Sequence, residues 1–130
     1  MSDDGQALVE FALVLPFLLL FAVALVLIAE IGVARLALEN AAAEGARIGA
    51  LTNDDDEISR TVRAAVEPLE QGRVRVTVEP REHERPRSAD PRGSLLRVAL
   101  EYAVPVPLAF AGLPRVTVRG AAVRVIEWTP

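Results

Sequence analysis

The pattern of apolar and polar positions divides the chain into three regimes. From Phe11 to Ala29 no side chain is charged or polar. At about 1.5 Å per helical residue that run reaches roughly 28 Å, close to the hydrocarbon thickness of a bilayer. Hydrophobicity on every face also suits a buried core helix, but a body much larger than 130 residues would be needed to surround it. The pattern therefore predicts a single membrane span. Pro16 lies inside the run, where the missing backbone donor predicts a kink or local loosening.

Beyond Ala29 the helical pattern continues from Glu30 to Leu51 through strong helix formers and no proline, with Arg35–Glu39 and Glu44–Arg47 spaced to pair. Small residues recur every fourth position, Ala41, Gly45 and Gly49 on one stripe and Ala42, Ala46 and Ala50 beside it. Such stripes permit close helix packing. Two occupants are open, another subunit or the chain's own sheet.

The pattern then shortens. "TNDDDEISRTVRAAVEPL" begins with capping residues and sets Ile58, Val62, Ala65, Val66 and Leu69 on one face, an amphipathic helix of about three turns ending near Pro68. "RVRVTVEP", "LLRVALEYAVPV" and "RVTVRGAAVRVIEW" alternate as strands. A Pro- and Gly-containing connection around "PLAFAGLP" separates the last two, and "PREHERPRSADPRG" reads as a polar, mobile loop. The expected fold class is α+β: a long N-terminal helix, a short second helix and a small antiparallel sheet of three strands, its apolar face covered by the helices. The expected organisation is residues 6–29 as transmembrane helix, 30–51 as its extramembrane continuation and 52–130 as a small domain beyond it, with residues 1–5 preceding the span.

Charge narrows the partners. The net charge is −4. Its excess is Asp3, Asp4, Glu10 and Glu30, because acids and arginines balance in the rest of the chain. A neutral body with one Trp and one Tyr offers neither a basic field nor stacking platforms for nucleic acid. With no Cys, neither disulfides nor thiolate metal sites are available. Asp54, Asp55, Asp56 and Glu57 lack the spacing of a calcium loop and read as a helix cap. His83, alone among its type and flanked by Glu82 and Glu84, reads as solvated. No nucleophile elbow, phosphate loop or metal-ligand cluster is present, so no enzyme activity, cofactor, metal or small-molecule substrate is expected.

Glu10 is the anomaly, a carboxylate at the mouth of the apolar run. A charge in lipid costs about 2.5–3.5 kcal/mol at a helix centre and less towards its end. It either reaches the headgroups or meets a partner. Glu30 has the same two readings, water boundary or intramembrane pair.

Gly5, four residues, then Glu10 and Phe11 opening an apolar helix resemble the processing site of type IV prepilins. "GQALVEFALVLPFLLL", followed after one span by "LALENAAAEGARIGAL", is similar to the TadE family, minor pseudopilins of the tight-adherence pilus machinery. The resemblance implies cleavage after Gly5 by a prepilin peptidase, with Gln6 as the new N-terminus and Glu10 as the fifth residue of the mature chain. The α-amine of Gln6 on a neighbouring subunit would then face Glu10 and set the axial register of packed helices. Implied partners are the membrane, the prepilin peptidase, other pilin or pseudopilin subunits and Tad assembly proteins. The implied location is the bacterial cytoplasmic membrane, single-pass, with the C-terminal domain outside. A secretory signal peptide fits less well, since "MSDDG" is acidic and the apolar run is long. An unprocessed, signal-anchored adaptor domain of an envelope complex is the alternative.

Overall fold

The computed structural model describes residues 2–106, 112 and 115–130. One helix, α1, runs from Asp3 to Thr52, and a shorter helix, α2, from Asp55 to Ala65. A 3-10 turn at Gln71–Arg73 leads into three strands, β1 (Val74–Glu79), β2 (Leu95–Pro105) and β3 (Arg115–Val125). They form one antiparallel sheet in the order β1-β2-β3. The α+β class and its components are those expected from the pattern.

α1 is two structures in one helix. Between Asp3 and Glu30 nearly every side chain is exposed, and Phe17 remains 73% accessible. The helix continues unbroken through Pro16, so the secondary structure absorbs the missing donor without ending. From Ile31 onward the helix acquires a buried face of Ala34, Ala37, Leu38, Ala41, Ala42, Ala46 and Ala50. That face meets β2, β3 and α2. On the opposite, wet face the Arg47 guanidinium beside Glu44 holds that carboxyl below its usual range.

α1 stops because Asn53 adopts a left-handed conformation, φ 53°, and returns its amide to the Gly49 carbonyl at 2.9 Å. Asparagine tolerates that region better than most residues. Asp54 then caps α2, its carboxylate accepting from the Asp56 and Glu57 amides at 2.8 and 3.2 Å. The two-residue link turns α2 back along α1, and Ile58, Val62 and Val66 are fully buried at its underside.

In the sheet, period-two burial sets Leu96, Val98, Leu100, Tyr102 and Val104 of β2 towards the helices. The outward row carries Glu101, which accepts from Arg119 at 3.0 Å and lies 4.0 Å from Arg75 on the other neighbour. Register pairs Val74 with Tyr102 and Glu79 with Arg97 across β1 and β2, and Leu95 with Val125 and Pro105 with Arg115 across β2 and β3.

Two expectations are corrected. The third strand does not reach Trp128: β3 ends at Val125, and the following residues cross to the end of α1. There the Glu127 and Trp128 amides both donate to the Ala50 carbonyl, at 2.9 and 3.1 Å, supplying donors that a helix C-terminus lacks internally. The polar segment 80–93 is not a free loop: its Arg87 is buried and donates to Asn53 at the end of α1. The "PLAFAGLP" connection, apart from Gly112, lies outside the described residues.

Candidate functional site

The N-terminal end of α1 carries the residues singled out for processing and registration. Ser2 is the N-cap: its hydroxyl and its carbonyl both receive the Gly5 amide, at 3.4 and 3.1 Å. Asp3 and Asp4 occupy the first turn, where carboxylates favour the positive end of the helix dipole. The Gly5–Gln6 peptide is therefore helical, one turn inside the element.

Gln6 and Glu10 stand one turn apart on the same face. The Gln6 side-chain amide donates to the Glu10 carboxylate at 3.3 Å, a partner within the helix that the sequence reading did not consider. Glu10 and Phe11 are otherwise exposed, as are Leu8, Val9, Leu13 and Val14 around them. An apolar column open on all sides is incompatible with water as its surroundings. Among the described residues α1 is the one helix long and apolar enough to cross a membrane.

The small-residue stripe faces inward. A Cβ added at Gly45 or Gly49 would fall against Val62 and Ile58 of α2, and at Gly49 the distance to the Ile58 Cδ1 would be 2.6 Å. Ala41, Ala42 and Ala46 are fully buried in the same core. Of the two occupants open to the sequence, the structure places the chain's own α2 and sheet against Ala41, Gly45 and Gly49. A matching small residue on the sheet escaped the sequence reading: a Cβ at Gly120 of β3 would lie 2.8 Å from the backbone of Leu38 and Glu39. Gly120 lets β3 touch the helix backbone.

At the far end of the domain a second missed cluster closes the corner between the helices. Arg87, from the polar segment, is 1% exposed. Its Nε donates to the Asn53 side-chain oxygen at 2.9 Å, and one terminal nitrogen donates to Asp55 at 2.5 Å and to the Pro80 carbonyl at 2.7 Å. Asn53 answers by donating to the Arg87 carbonyl. Asp55 and Glu82 exchange backbone-to-carboxylate bonds, the Asp55 amide to Glu82 at 3.2 Å and the Glu82 amide to Asp55 at 3.0 Å. The segment is latched, with His83 and Trp128 bordering the same shallow hollow. The spacing Asn53-Asp54-Asp55 was readable as capping, but the one arginine of many that turns inward was not.

Glu30 ends the apolar run and opens onto a groove between α1 and the near edge of the domain. Val26, Ala29, Val33, Pro68, Leu69, Tyr102 and Pro105 border it.

Compared with known proteins, residues 5–47 match the family model described as TadE-like protein. The matched interval contains Gly5, Gln6, Glu10, Phe11 and the first two positions of the small-residue stripe. No curated protein and no solved structure matches the chain.

Proposed function

We propose, with residues 5–47 taken as a TadE-like segment, that the protein is a minor pseudopilin of a tight-adherence pilus. In this reading α1 spans the cytoplasmic membrane once, residues 1–5 face the cytoplasm and the domain from Glu30 onward lies outside. A prepilin peptidase cuts after Gly5, and the mature chain joins other pilin subunits and Tad assembly proteins in building the pilus. The chemistry required of the protein is packing and charge pairing; no reacting group is invoked.

The observation that carries the proposal is the coincidence of the family match with a free apolar column bearing one carboxylate near its start. Cleavage would remove Ser2, Asp3 and Asp4, and with them the cap and the charges that favour the helix start. It would leave an ammonium group at the positive end of the dipole, a site that disfavours cations. A neighbour's Glu10 relieves that conflict, and the ammonium relieves the cost of a carboxylate in lipid. Each group corrects the other's defect, which is a physical reason for the two to seek one another between subunits.

One observation favours the alternative, an unprocessed anchored adaptor: Ser2 builds the leader into the first turn, so the Gly5–Gln6 bond must unwind before a peptidase can engage it. Intact mass of the protein made in a host with its cognate prepilin peptidase separates the readings. A mass lacking residues 1–5 supports the pseudopilin. A chain still carrying Ser2, Asp3 and Asp4 supports the adaptor.

A further inference from the structure

The groove at Glu30 continues downward along α1. A second hollow adjoining the first is bordered by Ala22, Val23, Val26, Leu27 and Glu30 on the helix and by Pro105 and Val106 at the end of β2. Ala22 lies seven residues before the end of the apolar run, about 10 Å along the helix. The edge of the domain thus stands beside helix residues that belong to the hydrocarbon layer if α1 spans a membrane.

The composition of that edge suits such a place. Pro105 and Pro68 are exposed and Leu69 is half-buried. Pro105 and Arg115 pair at this end of the sheet. Around the apolar rim stand charges of both signs. Arg73 lies over the Tyr102 ring, 5.5 Å from its centroid, and pairs with Glu70 at 3.5 Å. Arg115 and Glu30 are exposed beside them. The opposite end of the sheet, at Leu95 and Glu79, is tied instead to the polar latch.

We propose that this rim is a membrane-docking surface, sunk into the outer leaflet of the bilayer that α1 crosses, with zwitterionic phospholipid filling the groove. The inference rests on the transmembrane reading of α1 and deepens it. Acyl chains cover the groove walls at Ala22–Val26, Pro68, Leu69 and Pro105, an exposed apolar surface continuous with that of the span itself. Headgroup phosphates meet Arg73 and Arg115, whose aliphatic stems let the guanidinium stay at the interface. Headgroup amines meet Glu30. The domain then does not stand clear on a helical stalk. It is held at one tilt and height, and extracting the subunit into a filament requires this rim to leave the lipid with the helix.

The absence of cysteine permits the test on the full chain. Single Pro105→Cys, Val26→Cys and Leu95→Cys variants carry a nitroxide label in phosphatidylethanolamine/phosphatidylglycerol vesicles, and collisions with oxygen and with a water-soluble nickel chelate are compared. Trp128 fluorescence verifies the fold of each. The expected oxygen-to-chelate ratio at Pro105 matches that at Val26 and clearly exceeds that at Leu95, because apolar oxygen concentrates in hydrocarbon and the charged chelate stays in water. Should the Pro105 variant not fold, Pro68→Cys on the other wall carries the same expectation. A ratio at the rim equal to that at Leu95, with Val26 in lipid, overturns the docking surface alone. An aqueous Val26 overturns the span and the docking together. Shielding of the rim label from both reagents overturns the lipid assignment in favour of a protein partner.

Discussion

At the scale of single residues, two polar side chains occupy sites where their solvation is in question, and they are held by different means, with the buried Arg87 Nη2 left without a hydrogen-bond partner among the described residues. Glu10 has one side-chain hydrogen bond among the described residues, from the Gln6 side chain of its own helix. Glu10→Ala is expected to leave membrane insertion intact, since it removes a cost, while abolishing most co-purification with partner pilins. Retention of partners at parental levels would sink the registering role. Arg87 is the reverse case, buried and held by Asn53, Asp55 and Pro80. Removing one partner of a buried pair costs about 3–5 kcal/mol. Asp55 keeps 29% of its side chain exposed, so the lower end applies. Arg87→Met is therefore predicted to destabilise the domain by about 3 kcal/mol, read from denaturant unfolding of the micelle-bound chain through Trp128, which borders the same hollow. Asp55 and Asn53 variants should be non-additive with it, because all three share one network.

At the scale of elements, glycines decide how closely layers approach. Gly120→Ala places a methyl against helix backbone at 2.8 Å, and backbone cannot rotate aside as a side chain can. Overpacking of this kind costs about 1–3 kcal/mol, and the upper part of that range is expected, measured as a fall in the denaturant midpoint. Gly32→Ala is the internal control. Its Cβ meets nothing within 4 Å, so the substitution should gain about 0.5–1 kcal/mol by removing backbone freedom from the unfolded chain. Equal effects of the two substitutions would mean that β3 does not press on α1 at Leu38 and Glu39. The alternation that revealed the strands could not show this contact, because it states which face is buried and not how near the opposing backbone comes.

At the scale of the whole molecule, the division of α1 at about Glu30 organises everything else. Below it the helix offers apolar side chains to all sides, and above it the same helix is the spine of a packed domain. The full chain is accordingly predicted to remain with membranes through alkaline carbonate washing and to be released only by detergent. Release by carbonate alone would remove the transmembrane reading and the docking rim with it. If the rim is sunk in the leaflet, detergent extraction should also raise the accessibility of a label at Pro105 while leaving one at Leu95 unchanged.

What the sequence determined by itself was whatever rests on local periodicity and on one-dimensional charge placement. That covers the apolar run from Phe11 to Ala29, the helical stretch to Leu51, the amphipathic helix at Ile58 and Val62, three strands, and the pattern from Gly5 to Phe11 that resembles a pilin leader. These signals are local because side-chain burial repeats with the geometry of a single element. Only the tertiary structure decided which surfaces the small-residue stripe meets, that Gly120 yields to the helix backbone, that Arg87 alone of the arginines turns inward, and that Pro105 comes to lie beside Ala22 and Val26. Each of those is a meeting of residues far apart along the chain, and periodicity within one segment carries no record of its neighbours in space.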